Sequence, residues 1–304
     1  FHCNGWGMPY AITGMGGKHI VLRKVDGSEI LKRIKEHHVT LLCGAPAVIA
    51  SILEAANEWE GEIPGTGTMR IVVAGAPPPT KTIERVETEL GWEFIQIYGL
   101  TETAPFVTMN RTRPEWDSKT AQERAVLLSS AGSPALGIGV STSPDGELLV
   151  RGNHVLKSYW EQPEATEQAL ADGWFHTGDG ATLGRDHYVT ITDRKKDVII
   201  SGGENISSIE VEDVLFSHPS VAEVAVIGVP DEKWGETVKA LVVLSENELT
   251  DEQTLISYCR ENLAHYKCPT SVDFLEELAR TTTGKLQKFK LREPYWKDMN
   301  RQIN

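Results

Sequence analysis

The sequence predicts an α/β protein built from a parallel-sheet part, a β-rich part and a small α+β domain joined by a hinge. Three observations carry this. Strand-like and helix-like segments alternate up to about residue 110. Short strands bounded by turns take over at 132–193, and helices return after a charged stretch at 193–197. The domains read as 1–195, divided into 1–110 (α/β) and 132–193 (β-rich), followed by 196–304.

Ile30, Leu31 and Ile34 recur at helical spacing within 28–37. Val39 to Cys43 is an apolar strand, and Pro46 suits the first turn of a helix running to about Asn57. Arg70 to Ala74 is a second strand, closing on Gly75-Ala76-Pro77-Pro78-Pro79. A helix from Thr80 turns Ile83, Val86 and Leu90 inward. Phe94 to Tyr98 is a third strand, ending in Gly99-Leu100-Thr101-Glu102-Thr103. This order implies a parallel sheet with right-handed crossovers, and such sheets bind ligands beyond the carboxyl ends of their strands. The loops at 75–79 and 99–103 are those ends. Their glycines, threonine hydroxyl, carboxylate and aromatic ring suit a polar ligand. Taken singly, each loop reads more readily as ordinary turn chemistry.

Residues 110–131 read as polar and irregular, an excursion. Strands follow at Gly146–Val150, in Gly173-Trp174-Phe175-His176-Thr177-Gly178-Asp179, and at Tyr188–Thr192, with helical periodicity only near 163–171. Asp179 either binds a hydroxyl-rich ligand or caps a turn. His176 by itself reads as a hydrogen-bonded structural histidine. Asp193, Arg194, Lys195, Lys196 and Asp197 are consecutive charges and are expected outside any core. They form a domain junction or a solvated hairpin loop. Gly202-Gly203 follows, and then a capping box of Ser207 and Glu210 opens a helix over 208–217 that stops at His218-Pro219. Strands at Ala222–Val229 and Val238–Leu244 precede a second box, Thr250 with Gln253, which opens a helix to about Leu263. A strand near Ser271–Leu275 leads into Arg280–Lys288, a loop mobile by composition. Its Lys285 is a movable cation for phosphate or carboxylate, or a solvated surface lysine.

Totals narrow the classes. Forty-three acidic against thirty basic residues give a net charge of −13 over 304 residues, which argues against general nucleic-acid affinity. Cys3, Cys43, Cys259 and Cys268 show neither metal spacing nor a disulfide-dense pattern, so a reducing, cytoplasmic setting is expected. No apolar run reaches transmembrane length. The chain opens on Phe1-His2-Cys3-Asn4 without a Met, so we expect the later part of a longer protein.

Four stretches together resemble the adenylate-forming superfamily of acyl- and aryl-CoA synthetases, luciferases and nonribosomal peptide adenylation domains. They are Tyr98-Gly99-Leu100-Thr101-Glu102, Gly173 to Asp179, Asp193 to Asp197 with Gly202-Gly203-Glu204-Asn205, and Thr283-Gly284-Lys285. They occur in the family's order, and the resemblance spans essentially the whole chain. It implies that 1–195 is the C-terminal part of the large AMP-binding domain and 196–304 the mobile C-terminal domain. It implies a two-step reaction: a carboxylate attacks the α-phosphate of ATP, giving acyl-adenylate and pyrophosphate, and the thiol of coenzyme A then displaces AMP. The C-terminal domain rotates between the steps.

The resemblance also implies roles. Gly75, Ala76 and Pro77 line the adenine and Tyr98 packs on its ring, with Gln96, Gly99 and Ile191 among the nucleotide contacts. Thr101 hydrogen-bonds the α-phosphate and Glu102 helps to hold Mg²⁺. Asp179 accepts from the ribose hydroxyls, and Arg194 contacts ribose or phosphate. Lys196 takes the hinge position, and Lys285 neutralises charge as the carboxylate attacks. Gly202, Gly203 and Trp234 belong to the CoA side, and His2 and Trp6 to the acyl pocket. Two departures stand out. The family's Ser/Thr/Gly-rich loop ending in Pro-Lys-Gly, which cradles the β- and γ-phosphates, is absent from these residues, so the chain alone is expected to be a poor catalyst. Ala279 stands where a proline often precedes the final lysine loop.

The implied activity is that of an AMP-forming acyl-CoA synthetase using ATP, Mg²⁺ and coenzyme A on a short- to medium-chain fatty acid, aryl acids remaining open. The residues do not specify an oligomeric state; dimers are common in the family, and a homodimer is among the assemblies the resemblance allows. The competing readings are an adenylation domain loading a carrier-protein thiol and an adenylate-binding fragment without turnover.

Overall fold

The computed structural model describes residues 3–246, 248–281 and 285–297, without the side chains of residues 3 and 4. The chain divides into two compact units. One comprises Phe1–Thr177 with Ala181–Ile191, the other Gly178–Gly180 with Thr192–Asn304.

The first unit begins its sheet with β1 (Leu41–Gly44), β2 (Arg70–Val73), β3 (Glu93–Gly99), β4 (Phe106–Arg111) and β5 (Ser133–Pro134), in that spatial order. β1–β2 and β2–β3 pair in parallel, as the alternating pattern predicts. β3–β4 and β4–β5 are antiparallel, so the sheet is mixed rather than wholly parallel. The helices Gly27–His37, Pro46–Asn57 and Thr80–Leu90 form where the apolar spacing places them. Asp26 starts the first by accepting a hydrogen bond from Glu29 N at 2.9 Å. Their buried residues, Ile30, Leu31, Ile34, Ile49, Ile52, Leu53, Ile83, Val86 and Leu90, close on Ile71, Val73 and Phe94 as one core.

The stretch expected to be irregular is ordered. It holds the end of β4, a 3₁₀ turn Pro114–Trp116 and a helix Ala121–Leu128. Thr120 and Glu123 form a reciprocal capping box, and Arg124 pairs with Glu87. Only Ala125 and Leu128 of this helix are buried, one turn apart, which is too short a run for periodicity to reveal.

The β-rich part is a sheet in the order β6 (Gly139–Thr142), β7 (Glu147–Arg151), β8 (Phe175–Leu183), β9 (Val189–Arg194). Leu148, Val150, Phe175, Ala181 and Val189 share a core with Val107 of β4.

In the second unit, β10 (Ile199–Ser201), β11 (Glu204–Ile206), β12 (Val221–Asp231), β13 (Gly235–Leu244) and β14 (Ser271–Phe274) run in the order β11-β10-β13-β12, with β14 also on β13. β12 is buried on both faces by strand alternation. Val224 and Val226 face the helices Ser208–Phe216 and Glu252–Asn262 in one cluster; Ala225 and Ile227 join Leu278 and Leu291 in another. Leu291 lies on a closing helix, Lys288–Trp296, which the sequence reading did not find. Basic residues alternate with aromatics there and Pro294 interrupts it, so no apolar stripe shows. The helix start at 252 also differs: Asp251 is the cap, accepting from Thr254 N at 2.7 Å, not Thr250. The Arg280–Lys288 loop is paired at its stem, where Arg280 bridges Leu286 and Gln287 N donates to Ala279 O at 2.9 Å.

If this closing helix is integral to the unit, Leu291→Ala should lower stability by about 2–3 kcal/mol, the cost of a core truncation. Urea unfolding reads it; a change below roughly 0.5 kcal/mol would show an unpacked helix.

Candidate active site

Two loops leave the carboxyl end of the first unit's sheet, because Val73 of β2 lies beside Gln96 of β3 in parallel register. The first carries Gly75, Ala76 and Pro77, all exposed, with Gly75 at φ 98°. The second carries half-buried Tyr98 and Gly99, then a 3₁₀ turn Thr101–Thr103. Gly99 is fixed by space: a Cβ there would lie 1.6 Å from Pro105 O. The buried Thr103 hydroxyl ties the turn, donating to Pro105 O at 2.6 Å and accepting from Leu100 N at 2.9 Å. This leaves Thr101 exposed at the turn's outer side. Gln96 is only 6% exposed, and its Oε1 has no hydrogen-bond partner among the described residues.

Glu102 is held at two points from one distant segment. Its carbonyl accepts from Leu156 N at 2.7 Å, and its Oε1 accepts from the Tyr159 hydroxyl at 3.0 Å. Burial, then the Glu102 carboxylate, push the Tyr159 phenol above its ordinary range, so it stays a donor. Nothing in the sequence reading singled out Tyr159. Among the described residues no three His, Cys, Asp or Glu side chains converge as a metal cage. A single carboxylate is nevertheless a donor that suits Mg²⁺, which commonly keeps waters and substrate phosphates as its other ligands.

The second unit carries most of the other candidates. Asp179, 8% exposed, lies 3.7 Å from Arg194 Nε, so the structure brings this pair together. Gly202 sits at φ 61° against the Trp234 ring, where a Cβ would meet Cε3 at 2.8 Å, and its N donates to Trp234 O at 2.9 Å. Gly203 follows at φ 90°, and Lys233 Nζ lies 4.3 Å over the half-exposed Trp234 ring. Lys285 is partly exposed; its backbone exchanges hydrogen bonds with Thr281 at 2.8 and 3.1 Å. Thr283 and Gly284 lie outside the described residues, as does His2. Trp6 ends a short helix, Cys3–Trp6, at φ 58°, and Ile191 packs against the β-rich core. His176 pairs with buried Glu147 at 3.2 Å.

The charged stretch corrects the expectation that none of it is core. Asp193 is 2% exposed. Its carboxylate accepts from Arg194 N at 2.9 Å, Ser208 N at 2.8 Å and Ser208 Oγ at 2.6 Å, so it occupies the start of the helix Ser208–Phe216. Ser208 Oγ also contacts Lys288 Nζ, which pairs with Glu212 at 2.7 Å; Glu212 in turn accepts from Val226 N at 2.8 Å. Burial raises the Glu212 carboxyl against the opposing pull of Lys288. Ser207 caps this helix as expected, but Glu210 pairs with Lys267 at 2.6 Å instead of closing the box. Arg292, 8% exposed, forks onto Lys196 O at 2.9 Å and the Asp197 carboxylate. Lys195 and Lys196 themselves are exposed. Cys43 and Cys259 are not poised as nucleophiles: burial pushes Cys43 up to about 11 and Cys259 to about 12.

A cavity of about 770 Å³ lies elsewhere, at the amino ends of β2 and β3 between Arg70, Glu93, Arg111 and Arg124. Ligands of such sheets bind at the opposite, carboxyl ends. An α/β scaffold with two small-residue turns and a fixed carboxylate at that end suits a polar ligand, as the resemblance to the adenylate-forming superfamily implies.

Comparison with known proteins gives the family. The model of the AMP-binding enzyme matches residues 1–160, and that of the AMP-binding enzyme C-terminal domain matches 210–285. The chain belongs to the AMP-binding enzyme family. It is 44% identical over 310 residues to 2-methylpropanoate–CoA ligase of Humulus lupulus, covering 96% of this chain and 55% of that protein. It is 38% identical over 318 residues to the peroxisomal benzoate–CoA ligase of Arabidopsis thaliana, covering 96% and 54%. Among solved structures, o-succinylbenzoate CoA synthetase from Bacillus subtilis with its acyl-adenylate superposes with TM-score 0.81 at 32% identity, covering 100% of this chain and 60% of that one. ATP-bound MatB from Rhodopseudomonas palustris gives TM-score 0.79 at 30% identity, covering 94% and 56%. The chain thus spans about half the length of the curated relatives it matches. No described helix is long and apolar enough to cross a membrane.

Asp193→Ala would leave the Ser208 amide and hydroxyl without their buried acceptor. The expected loss is about 3–5 kcal/mol, that of breaking a buried charge network. Guanidinium denaturation tests it, and a loss under roughly 1 kcal/mol would mean the network is not closed in solution.

Proposed function

We propose that the intact protein is an AMP-forming acyl-CoA synthetase, activating a small carboxylic acid with ATP and passing the acyl group to coenzyme A. The observation that carries this reading is the turn after β3. There Gly99 leaves room for the Pro105 carbonyl that closes the turn, Thr101 is exposed and Glu102 is fixed by Tyr159. The relatives named above as CoA ligases support it.

In this reading Tyr98 and the Gly75–Pro77 loop take the adenine, with Gln96 and Ile191 beside them. The Thr101 hydroxyl donates to the α-phosphate. Glu102 is the residue that would hold Mg²⁺, which when bound supplies neutralisation of the phosphate charge. Asp179 accepts from the ribose hydroxyls, with Arg194 beside it. Lys285 stabilises the negative charge that grows on the α-phosphate as the carboxylate attacks; the bond from α-phosphorus to the bridging oxygen breaks and pyrophosphate leaves. In the second step the thiol sulfur attacks the acyl carbon and AMP leaves. Gly202, Gly203 and Trp234 take the pantetheine side. We assign the swivel between the two steps to Lys196, residues 1–195 forming the large-domain part and 196–304 the mobile domain. His2 and Trp6 are assigned to the acyl pocket.

For the substrate we propose a short- to medium-chain aliphatic acid. The substrate in the name of one relative, 2-methylpropanoate, is of this kind, while benzoate in another keeps aryl acids in the panel.

The deciding experiment measures pyrophosphate release by the full-length protein with ATP, Mg²⁺ and a panel of aliphatic and aryl acids, with and without coenzyme A. CoA-dependent turnover on an aliphatic acid is expected. Turnover only with a carrier-protein thiol would replace this reading by carrier loading, and nucleotide binding without turnover would leave a binding protein. Lys285→Ala should cut adenylate formation by about a hundredfold or more while sparing thioester formation from supplied acyl-adenylate. Equal loss in both steps would contradict its role. Lys196→Pro should slow mainly the second step, by about tenfold or more. Unchanged rates in both would put the swivel elsewhere.

A further inference from the structure

Glu102 stands on a turn of only three residues, Thr101–Thr103, and its carboxylate is gripped from outside that turn. The orientation comes from a segment more than fifty residues later in the chain. Leu156 N fixes the Glu102 backbone at 2.7 Å, and the Tyr159 hydroxyl takes Oε1 at 3.0 Å. Tyr159 is itself anchored, because its own N donates to Thr166 Oγ1 at 3.0 Å, and Thr166 Oγ1 donates to Gln162 O at 2.7 Å. That ties the Tyr159 backbone to the first turn of the helix Pro163–Ala169. The segment 156–166 is therefore a strap that grips the turn through both main chain and side chain. A neutral hydroxyl donated to one carboxylate oxygen restricts the rotamer without cancelling the charge, and it engages Oε1 rather than Oε2. A carboxylate held in this way is pre-set to meet a cation; a freely rotating one must be ordered at the moment of binding.

We propose that Tyr159 is the positioning residue for the metal carboxylate, setting the affinity of Glu102 for the divalent cation that accompanies ATP. This rests on the reading of Glu102 as the metal-holding residue. Tyr159 does not touch the reacting atoms. It acts through Glu102 alone, so its influence is confined to the step that uses the cation.

The test uses the full-length protein and Tyr159→Phe, which keeps the ring and removes only the hydroxyl. Mn²⁺ serves as the probe, its binding followed by electron paramagnetic resonance in the presence of ATP and the absence of carboxylate. The expected result is a Kd for Mn²⁺ raised by about 10- to 100-fold, the usual consequence of losing a residue that orients a metal ligand. In the adenylation step the concentration of Mg²⁺ giving half-maximal rate should rise in parallel, with the rate recovering at high Mg²⁺. Thioester formation from supplied acyl-adenylate should stay at the parent's rate, which also reports that the variant is folded. Equal loss in both steps, or a rate that excess Mg²⁺ does not restore, would overturn the proposal in favour of a purely structural Tyr159. Glu102→Gln, measured alongside, separates the two levels. If Glu102→Gln weakens Mn²⁺ binding and Tyr159→Phe does not, the positioning role is wrong. If Glu102→Gln leaves Mn²⁺ binding unchanged, the metal assignment of Glu102 fails and the role of Tyr159 fails with it.

Discussion

The second unit depends on one buried carboxylate. Asp193 is almost fully removed from water, and a charge in that position is tolerated only if donors replace its hydration. Ser208 supplies two of them, from backbone and hydroxyl, at the positive end of a helix. The same hydroxyl passes the connection to Lys288 and thence to Glu212 and the β12 backbone. Four elements far apart in sequence are thereby joined: the end of β9, the helix Ser208–Phe216, the closing helix and β12. The arrangement also holds the Arg194 amide, and the Arg194 side chain lies 3.7 Å from Asp179.

A second fork works beside the first. Arg292 grips the carbonyl of Lys196 and the carboxylate of Asp197, holding the peptide between them to the closing helix. Lys196 itself keeps an exposed side chain. A residue assigned as a swivel is thus bordered by a peptide that cannot turn independently, which confines any rotation to the torsions of that residue. The first unit solves a different problem with smaller means. The turn after β3 must leave hydroxyl and carboxylate accessible, so its stability comes from the buried Thr103 hydroxyl and the space Gly99 leaves for Pro105.

Much of this was legible in the residues. The three early helices lie within a residue or two of where Ile30, Ile34, Ile83 and Leu90 put them, because burial on one face repeats with the helical period. The turn Gly99–Glu102 and the glycine pair at 202–203 were visible as chemistry before they were visible as geometry. The helix Ala121–Leu128 and the closing helix were missed, the first because two buried residues make no pattern, the second because its buried positions include an arginine. Tyr159 was missed because an isolated tyrosine near a tryptophan carries no local signal at all.

The sequence by itself determined which residues are available for chemistry, the order of strands and helices, and the family to which the chain belongs. These are properties of neighbours along the chain: turn residues, caps and apolar spacing. Only the tertiary structure decided that β4 and β5 run antiparallel, that Asp193 is interior while Lys195 and Lys196 are not, and that Glu102 is held from Tyr159. The physical reason is distance along the chain. Tyr159 and Glu102 are separated by 57 residues, and Arg292 and Lys196 by 96. A hydrogen bond needs its atoms within about 3 Å, and no local preference of either partner encodes a meeting that depends on the path of everything between them.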